Sequence, residues 1–566
     1  MAAWTASALA APTIELTNVT SEAQLVAVHA PDALGIPAGQ AWMTGGMAVG
    51  DFDRDGRPDL FVVGGGLAPD RLYMNQGDGT FTDVAAAWGI AAMHCGCGAS
   101  AADYDGDGWI DLYVTSFGAP GGGGQIGTHR LYRNTGAGSF ENVAAAAGVN
   151  QTSTAVSTGY SSAWGDYDLD GDLDLFVASW WAAGSGNRLF RNDGDGTFTD
   201  VTATAIGSAA SNVWGFTPAF VDMDGDLYPE ILLAADFNSS RYLVNDGDGT
   251  FTDATASSGT GLDGHGMGQT VGDFNNDGRL DWFVTSIHND TPPPGYINDN
   301  KLYIATDAHQ FVEQGTSAGV FDGGWGWGTI AVDLDQDRLI DIVEVNGRVS
   351  AQWGGEPAKV WRNIGGVVFE EIGAAAGIGP GFNGTAVAMF DYDADLDQDF
   401  VMFTNTGPLH VRRNDTVDPG HAIVLSFDTS TNPLLAPDGI GVRVEVVTGD
   451  VTQIRYLSGS PSYLATSELT VHVGLGDATA ADVVRVTWTR GQVTEWTNVA
   501  ADQAYVVVAP ILPDITADGV VNGADLSALL AAWGPVVDGG QLKADLDDNG
   551  AVDHRDLARV LASWSR

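Results

Sequence analysis

An acidic nonapeptide occurs seven times along this chain: DFDRDGRPD at Asp51, DYDGDGWID at Asp103, DYDLDGDLD at Asp166, DMDGDLYPE at Asp222, DFNNDGRLD at Asp273, DLDQDRLID at Asp333 and DYDADLDQD at Asp391. A repeat of this kind means that each copy encodes one supersecondary unit that must stack on its neighbours to bury its apolar faces. Successive starts lie 52, 63, 56, 51, 60 and 58 residues apart. Each nonapeptide runs into an apolar strand such as Leu60-Phe61-Val62-Val63, Leu112-Tyr113-Val114 or Leu175-Phe176-Val177. A second motif follows, RLYMNQGDGTF from Arg71, RLYRNTGAGSF from Arg130, RLFRNDGDGTF from Arg188 and RYLVNDGDGTF from Arg241, with diverged copies at Lys301 and Lys359. Its Asn/Asp-Gly content between two strands is hairpin chemistry, because a tight turn needs residues that tolerate positive φ. The pattern predicts a mainly β chain in which units of about 57 residues form the blades of a seven-bladed β-propeller over residues 13–416. The seventh repeat stops after Val411-Arg412-Arg413-Asn414-Asp415, while IELTNVT from Ile14 is similar to FTDVAAA from Phe81. The N-terminal strand is therefore expected to complete the last unit and remove the free edges that the competing architecture, a linear solenoid, exposes.

In D-x-D-x-D-G-x-x-D, side chains at positions 1, 3, 5 and 9 and a backbone carbonyl near position 7 can surround one hard cation with oxygen, which is calcium chemistry. The ligands are Asp51, Asp53, Asp55 and Asp59 in the first loop, Asp103, Asp105, Asp107 and Asp111 in the second, and Asp166, Asp168, Asp170 and Asp174 in the third. Asp222, Asp224, Asp226 and Glu230 follow in the fourth, Asp273, Asn275, Asp277 and Asp281 in the fifth, Asp333, Asp335, Asp337 and Asp341 in the sixth, and Asp391, Asp393, Asp395 and Asp399 in the seventh. The alternative, solvated turns, leaves crowded like charges unneutralised seven times over. Position 6 is Gly56, Gly108, Gly171 and Gly278 in four loops but Leu227, Arg338 and Leu396 in the others, where a different turn is expected, with either weaker binding or a loop held by packing. With Kd of about 1 mM, free calcium of about 10 mM stabilises one loop by about 1.4 kcal/mol, and cytosolic calcium by almost nothing. The loops therefore point outside the cytoplasm.

These repeats resemble FG-GAP/VCBS repeats, the family that includes the integrin α-subunit propeller, over Ile14 to Asp415. The resemblance implies calcium loops inside propeller blades and a fold used in extracellular recognition. Alternating strand patterns follow, such as Ile440 to Val446 and Val483 to Trp488, and predict a compact β domain over 417–511. Its segments SGSPSYLATSE from Ser458, VHVGLGD from Val471 and RGQVTEWTNV from Arg490 resemble the ASPIC/UnbV domain of the cartilage acidic protein family, with Thr489-Arg490 in place of the family's usual Pro-Ser.

Residues 512–566 hold two further acidic loops, each followed by a short amphipathic helix, from Ser527 and from Leu557. Oxygen ligands at EF-hand-like spacing would be Asp514, Thr516, Asp518, Asn522 and Asp525, then Asp545, Asp547, Asn549, Asp553 and Asp556, so that up to nine calcium sites are expected in all. The pair resembles a type I dockerin, which implies a calcium-folded tag and a cohesin-like partner. Gly523-Ala524 and His554-Arg555 occupy the positions that help choose that partner in dockerins, so the two faces differ.

A formal net charge of −49 over 566 residues repels phosphate backbones, which argues against nucleic acid as a partner. No apolar run is long enough to span a bilayer. The first 12 residues, with an A-x-A pattern at Ala8, Leu9 and Ala10, are read as the remnant of a signal peptide. Strands lining a central channel would bring His94, Cys95, Cys97 and His265 to its mouth, where copper or zinc is one option and plain packing the other. The expected function is a secreted or cell-surface calcium-binding adhesion protein, non-catalytic, contacting an extracellular glycan or protein. The alternative is a polysaccharide lyase or hydrolase on a calcium-stabilised propeller.

Overall fold

Each repeat folds as its alternation of apolar runs and turn residues requires, into antiparallel strands joined by tight loops. The computed structural model describes residues 12–31, 41–116, 127–151, 159–180, 186–290, 299–348, 354–379, 381, 383–405, 407–511, 513–516, 520–537, 543–546, 549–562 and 564. The expected signal-peptide segment, apart from Pro12, lies outside them, as do Asp518 and Asp547.

Seven sheets, numbered here 1 to 7 in chain order, correspond to the seven repeats. Their first strands are Met47–Gly50, Gly96–Ala102, Ser162–Gly165, Trp214–Val221, Gln269–Gly272, Gly326–Val332 and Gly384–Phe390. In each, the nonapeptide links the first strand to the second, and the R-L-Y-x-N segment is the third. The outermost strand of sheet 7 is Leu16–Asn18, paired antiparallel with Leu16 opposite Asn414, so the chain's beginning does complete the last repeat. First strands lie side by side: 1 against 2 and 7, 3 against 2 and 4, 5 against 6, and 6 against 7. Sheets 4 and 5 are joined where Thr217 Oγ1 donates to the Met267 carbonyl (2.6 Å) and Gln269 Nε2 to the Thr217 carbonyl (2.8 Å).

Two features of the motifs hold neighbouring sheets together. The residue at position 2 of the nonapeptide packs its ring against the Phe of the next sheet's outer strand: Phe52 with Phe140 at 6.0 Å, Tyr104 with Phe198 at 5.8 Å, Tyr167 with Phe251 at 5.6 Å, Phe274 with Phe369 at 6.1 Å and Tyr392 with Phe81 at 6.4 Å. The same residue's carbonyl accepts from the side-chain amide of the next sheet's motif Asn. Asn134 donates to Phe52, Asn192 to Tyr104, Asn245 to Tyr167, Asn363 to Phe274 and Asn414 to Leu334, all at 2.8–2.9 Å. Asn75 of sheet 1 donates to Tyr392 of sheet 7 at 2.9 Å, linking the first repeat to the last. Sheet 5 has Ala305 at this place and so has no amide to offer.

The following domain consists of two sheets, one with His421–Asp428 between Val471–Gly476 and Gln503–Val508, the other ordered Val451–Tyr456, Arg443–Thr448, Ala480–Thr487, Val493–Ala500. Ile423, Val444, Val486 and Trp488 lie in its core. Its segment 458–468 leaves that core and threads among the first strands of the repeats. Ala465–Thr466 pairs in parallel with Met47 and Ala48, Leu464 O accepts from Met47 and Ala99 N–H, and Ser462 O accepts from Gln269 N–H. Gly459 bridges Trp164, Ser460 Oγ accepts from Phe220 N–H, Ser462 Oγ donates to Val387 O, and the Tyr463 ring sits 5.2 Å from Trp327. One segment thus touches all seven sheets. A Cβ on Gly46 would lie 2.2 Å from Leu464 O, and on Gly268 2.9 Å from Ser462 O, so glycine is required where this segment passes.

Among the described residues of the last segment are the helices Gly523–Ala531 and His554–Ala562, which begin inside the acidic loops, earlier than the expected Ser527 and Leu557. Asn522 caps the first, accepting from Ala524 N–H at 2.7 Å. Arg490, 1% exposed, donates to the carbonyls of Leu169 in the third nonapeptide and Asp545 in the second tail loop, both at 2.8 Å. Arg490 therefore ties the repeats, the following domain and the last segment together. Replacing Asn75 by Ala should destabilise the protein by about 1–3 kcal/mol, read as a lower denaturation midpoint, because the Tyr392 carbonyl loses its buried partner.

Candidate metal-binding loops

All seven nonapeptides share one backbone geometry. The carboxylate at position 1 accepts the N–H groups of positions 5 and 6: Asp51 from Asp55 (3.0 Å) and Gly56 (2.8 Å), Asp103 from Asp107 (3.1 Å) and Gly108 (2.6 Å), Asp166 from Asp170 (3.1 Å) and Gly171 (3.0 Å). Asp222, Asp273, Asp333 and Asp391 do the same with Asp226 and Leu227, Asp277 and Gly278, Asp337 and Arg338, and Asp395 and Leu396. The expectation of a different turn where position 6 is not glycine is therefore corrected. Leu227, Arg338 and Leu396 adopt φ of 86°, 80° and 75°, close to Gly56 at 85° and Gly108 at 84°. Hydrogen bonding to the first carboxylate outweighs a left-handed penalty of about 1–2 kcal/mol per residue. Position 4 is left-handed too, at Arg54, Gly106, Leu169, Gly225, Asn276, Gln336 and Ala394, a constraint with no residue signature because any side chain occupies it.

This turn brings the acidic side chains together. Ligand oxygens of Asp51, Asp53 and Asp59 lie within 4.8 Å of one another, as do those of Asp103, Asp105 and Asp107, of Asp166, Asp168 and Asp174, and of Asp222, Asp224 and Asp226. Position 9 is anchored by the fold. Asp59 accepts from Phe52 N–H (3.0 Å) and Asn75 N–H (2.8 Å), and Asp111, Asp174, Asp281, Asp341 and Asp399 make the equivalent pair of bonds. Each oxygen keeps a lone pair for an ion. In the sixth loop Asp335 is fully buried, its Oδ1 has no hydrogen-bond partner, and Arg362 pairs with Oδ2. A buried, all-oxygen donor set with an orphaned carboxylate oxygen fits a hard divalent cation. In the fifth loop Asn275 accepts Asp277 N–H at 2.9 Å and so presents its oxygen as the aspartates do.

Burial pushes the position-9 carboxyls up, Asp59 to about 8, Asp111 to about 9 and Asp281 to about 8, with neighbouring aspartates adding to the rise. Asp174, Asp341, Asp399 and Glu230 lie well above the usual range for the same first reason.

The loops also form the surface on which the following domain rests. Arg443 donates to Gly278 O (2.7 Å), Gly420 N–H to Asp335 O (3.0 Å), Gly476 N–H to Gln336 O (2.9 Å), and His472 Nε2 meets Leu396 O (3.0 Å). In the tail, Asp525 accepts from Thr516 N–H (2.9 Å) and Asn522 N–H (2.7 Å), Asp556 from Leu546 N–H (2.6 Å) and Asp553 N–H (2.7 Å), and Asp545 from Asn549 N–H (3.2 Å) and Gly550 N–H (2.8 Å). Asp514 is buried beside them.

The four residues expected at a channel mouth are engaged separately. His94 bonds Asp70 and Ser116, both at 2.8 Å, and His265 bonds Asp236 at 2.6 Å, while Cys95 and Cys97 pack in the main core. Asp70, His94 and Ser116 have the connectivity of an acid–base–nucleophile relay, but all three are at most 1% exposed and Asp70 Oδ1 caps Gly64 N–H at 2.9 Å. That position before the third strand caps the second in sheet 3 as well, where Asn187 accepts Ser179 N–H at 2.9 Å, so the arrangement is a structural cap.

Residues 51–114, 166–233 and 222–284 match the FG-GAP-like repeat family, and residues 433–511 match the ASPIC and UnbV family. The chain is similar to cartilage acidic protein 1 of Mus musculus, with 23% identity over 496 residues, 83% of this chain and 74% of the relative. The Homo sapiens protein of the same name is 26% identical over 285 residues, 49% of this chain and 41% of its own. Among solved structures, rhamnogalacturonan lyase YesW aligns with a TM-score of 0.37 at 17% identity, over 65% of this chain and 71% of its own. BBS1N in complex with ARL6DN aligns with a TM-score of 0.41 at 11% identity, over 71% of this chain and 96% of its own.

Two outcomes follow from the loop geometry. Leu396→Gly should raise stability by about 1 kcal/mol, measured by denaturant titration, because glycine occupies the same turn without strain. In chelator, stability should fall as pH rises from about 4 to about 9. The unfolded carboxyls ionise near 4 while the folded ones retain protons to higher pH, so the folded state binds more protons throughout that window. Melting curves of the chelated protein at pH 5.5 and 8 check the sign.

Proposed function

We propose that this is a secreted calcium-binding recognition protein without catalytic activity, built on a closed seven-bladed propeller over residues 13–416. The observation that carries this reading is the single geometry of the seven nonapeptides, each with the first carboxylate gripping two backbone N–H groups and left-handed residues at positions 4 and 6. In each blade the residues at positions 1, 3, 5 and 9 hold one calcium ion, which neutralises carboxylates that burial otherwise drives toward protonation. Closure of the ring is supported by the Asn75 bond to Tyr392 and by the strand Leu16–Asn18 on sheet 7.

Calcium acts here on architecture. Ions that hold the loops also hold the carbonyls of Leu169, Gly278 and Leu396, to which Arg490, Arg443 and His472 attach the ASPIC/UnbV domain, residues 417–511. Extracellular calcium therefore fixes one rigid surface for binding a glycan or protein partner, and cytosolic levels do not. Residues 512–566 form a dockerin-like module that uses Asp514, Thr516, Asn522 and Asp525, and Asp545, Asn549, Asp553 and Asp556, to fold around calcium and tether the protein to a cohesin-like partner. Among the described residues no helix is long and apolar enough to cross a membrane.

Chelation should lower the melting temperature by more than about 10 °C, and calcium should restore it. Metal analysis of protein prepared in calcium should find several ions per chain. Incubation with a polysaccharide panel should give retention on glycan or protein arrays without new reducing or unsaturated ends. Turnover would overturn the non-catalytic reading.

A further inference from the structure

The fourth loop differs from its six counterparts in two ways that converge on one point. It alone carries Glu at position 9, and its hairpin neighbour in sheet 5 carries His309 where four other repeats have the turn glycines Gly79, Gly138, Gly196 and Gly249. His309 reaches across to the fourth loop, with Nε2 3.1 Å from Asp224 Oδ2. Ligand atoms of Asp224, Glu230 and His309 all lie within 4.8 Å of one another.

Glu230 turns a second carboxylate toward the same point. It is 1% exposed, and only its Oε2 accepts a hydrogen bond, from Met223 N–H at 2.9 Å. The position-9 aspartates use both oxygens on backbone N–H groups; Glu230 Oε1 takes none among the described residues. On the far side of the imidazole, the Tyr242 hydroxyl lies 3.0 Å from His309 Nδ1, and Tyr242 is fully buried. An outer-sphere partner on one ring nitrogen fixes the ring so that the other faces its ligand, the usual arrangement around a metal-bound histidine.

We infer that the fourth loop offers, beside its calcium ligands and sharing Asp224 and Glu230 with them, a mixed nitrogen–oxygen site for a first-row transition ion of the zinc class, bound by His309 Nε2, Asp224 and Glu230. The inference rests on the reading that these acidic loops hold cations. Imidazole with carboxylates suits zinc, whereas calcium prefers oxygen alone. The 3.1 Å between His309 Nε2 and Asp224 Oδ2 is near the edge of about 3.3 Å expected for two ligands on one tetrahedral ion at zinc distances. Asp224 belongs also to the group with Asp222 and Asp226, so the two kinds of ion compete for this loop. Its mouth is open to solvent at Asp224, Gly225 and Asp226, which gives an ion access.

The test is titration of the full chain with Co2+ in calcium-containing buffer, followed by the cobalt d–d absorption, with Zn2+ as competitor. The expected result is one tight equivalent, displaced by Zn2+, lost in His309→Gln and kept in His288→Gln, whose imidazole sits among Asp290, Asp299 and Asp322. Tyr242→Phe should weaken Zn2+ about tenfold, as loss of an outer-sphere partner does. Circular dichroism of each variant checks that it folds. Failure of Co2+ and Zn2+ to bind tightly, or binding that survives His309→Gln, overturns the inference. It does so even where chelation still lowers the melting temperature, and a calcium-insensitive protein that takes up one zinc would overturn the calcium reading alone.

Discussion

Like-charge crowding is the constraint on which the rest of this molecule depends. At Asp51, Asp103, Asp166 and Asp222 carboxylates are drawn within a few ångströms of one another and partly buried, and in all seven loops the backbone accepts two left-handed residues. Repulsion between neighbouring carboxylates at such distances is large unless a cation or a proton intervenes. The same loops are not peripheral ornaments. Their position-2 residues lock adjacent sheets through a ring contact and a carbonyl, and their outer carbonyls carry the next domain. What stabilises the loops therefore stabilises the joints between sheets and the joint between domains together.

The second physical device is the segment 458–468. First strands of the seven sheets converge, and their polar backbone edges need partners away from water. A stretch of Ser, Gly, Pro and Tyr supplies them, its hydroxyls and carbonyls meeting each strand in turn, while glycines such as Gly46 and Gly268 make room. The domain that supplies it cannot be lifted away without exposing those edges, so repeats and following domain behave as one mechanical body.

Much of this was legible beforehand. The seven nonapeptides, their place between first and second strands, the use of the chain's beginning to finish the last repeat, and the separate β domain all follow from periodicity and residue type. The shared turn at Leu227, Arg338 and Leu396 was not, because local propensity there opposes the observed conformation and only the pull of the first carboxylate decides it. The motif Asn was read as turn chemistry, whereas its amide bridges sheets; its recurrence at Asn75, Asn134, Asn192, Asn245, Asn363 and Asn414, immediately ahead of variable turn residues, was the signal available.

By itself the sequence determined the repeat count, the strand order within each repeat and the oxygen-rich chemistry of the loops, because all of these depend on residues near one another along the chain. Only the tertiary structure decided what meets across it: Arg490 between two acidic loops, Tyr463 among the inner strands, His309 against the fourth loop. Those contacts join residues tens to hundreds of positions apart, and no local pattern specifies such a distance. They exist because the first strands of neighbouring sheets lie side by side and bring the same few surfaces together each time.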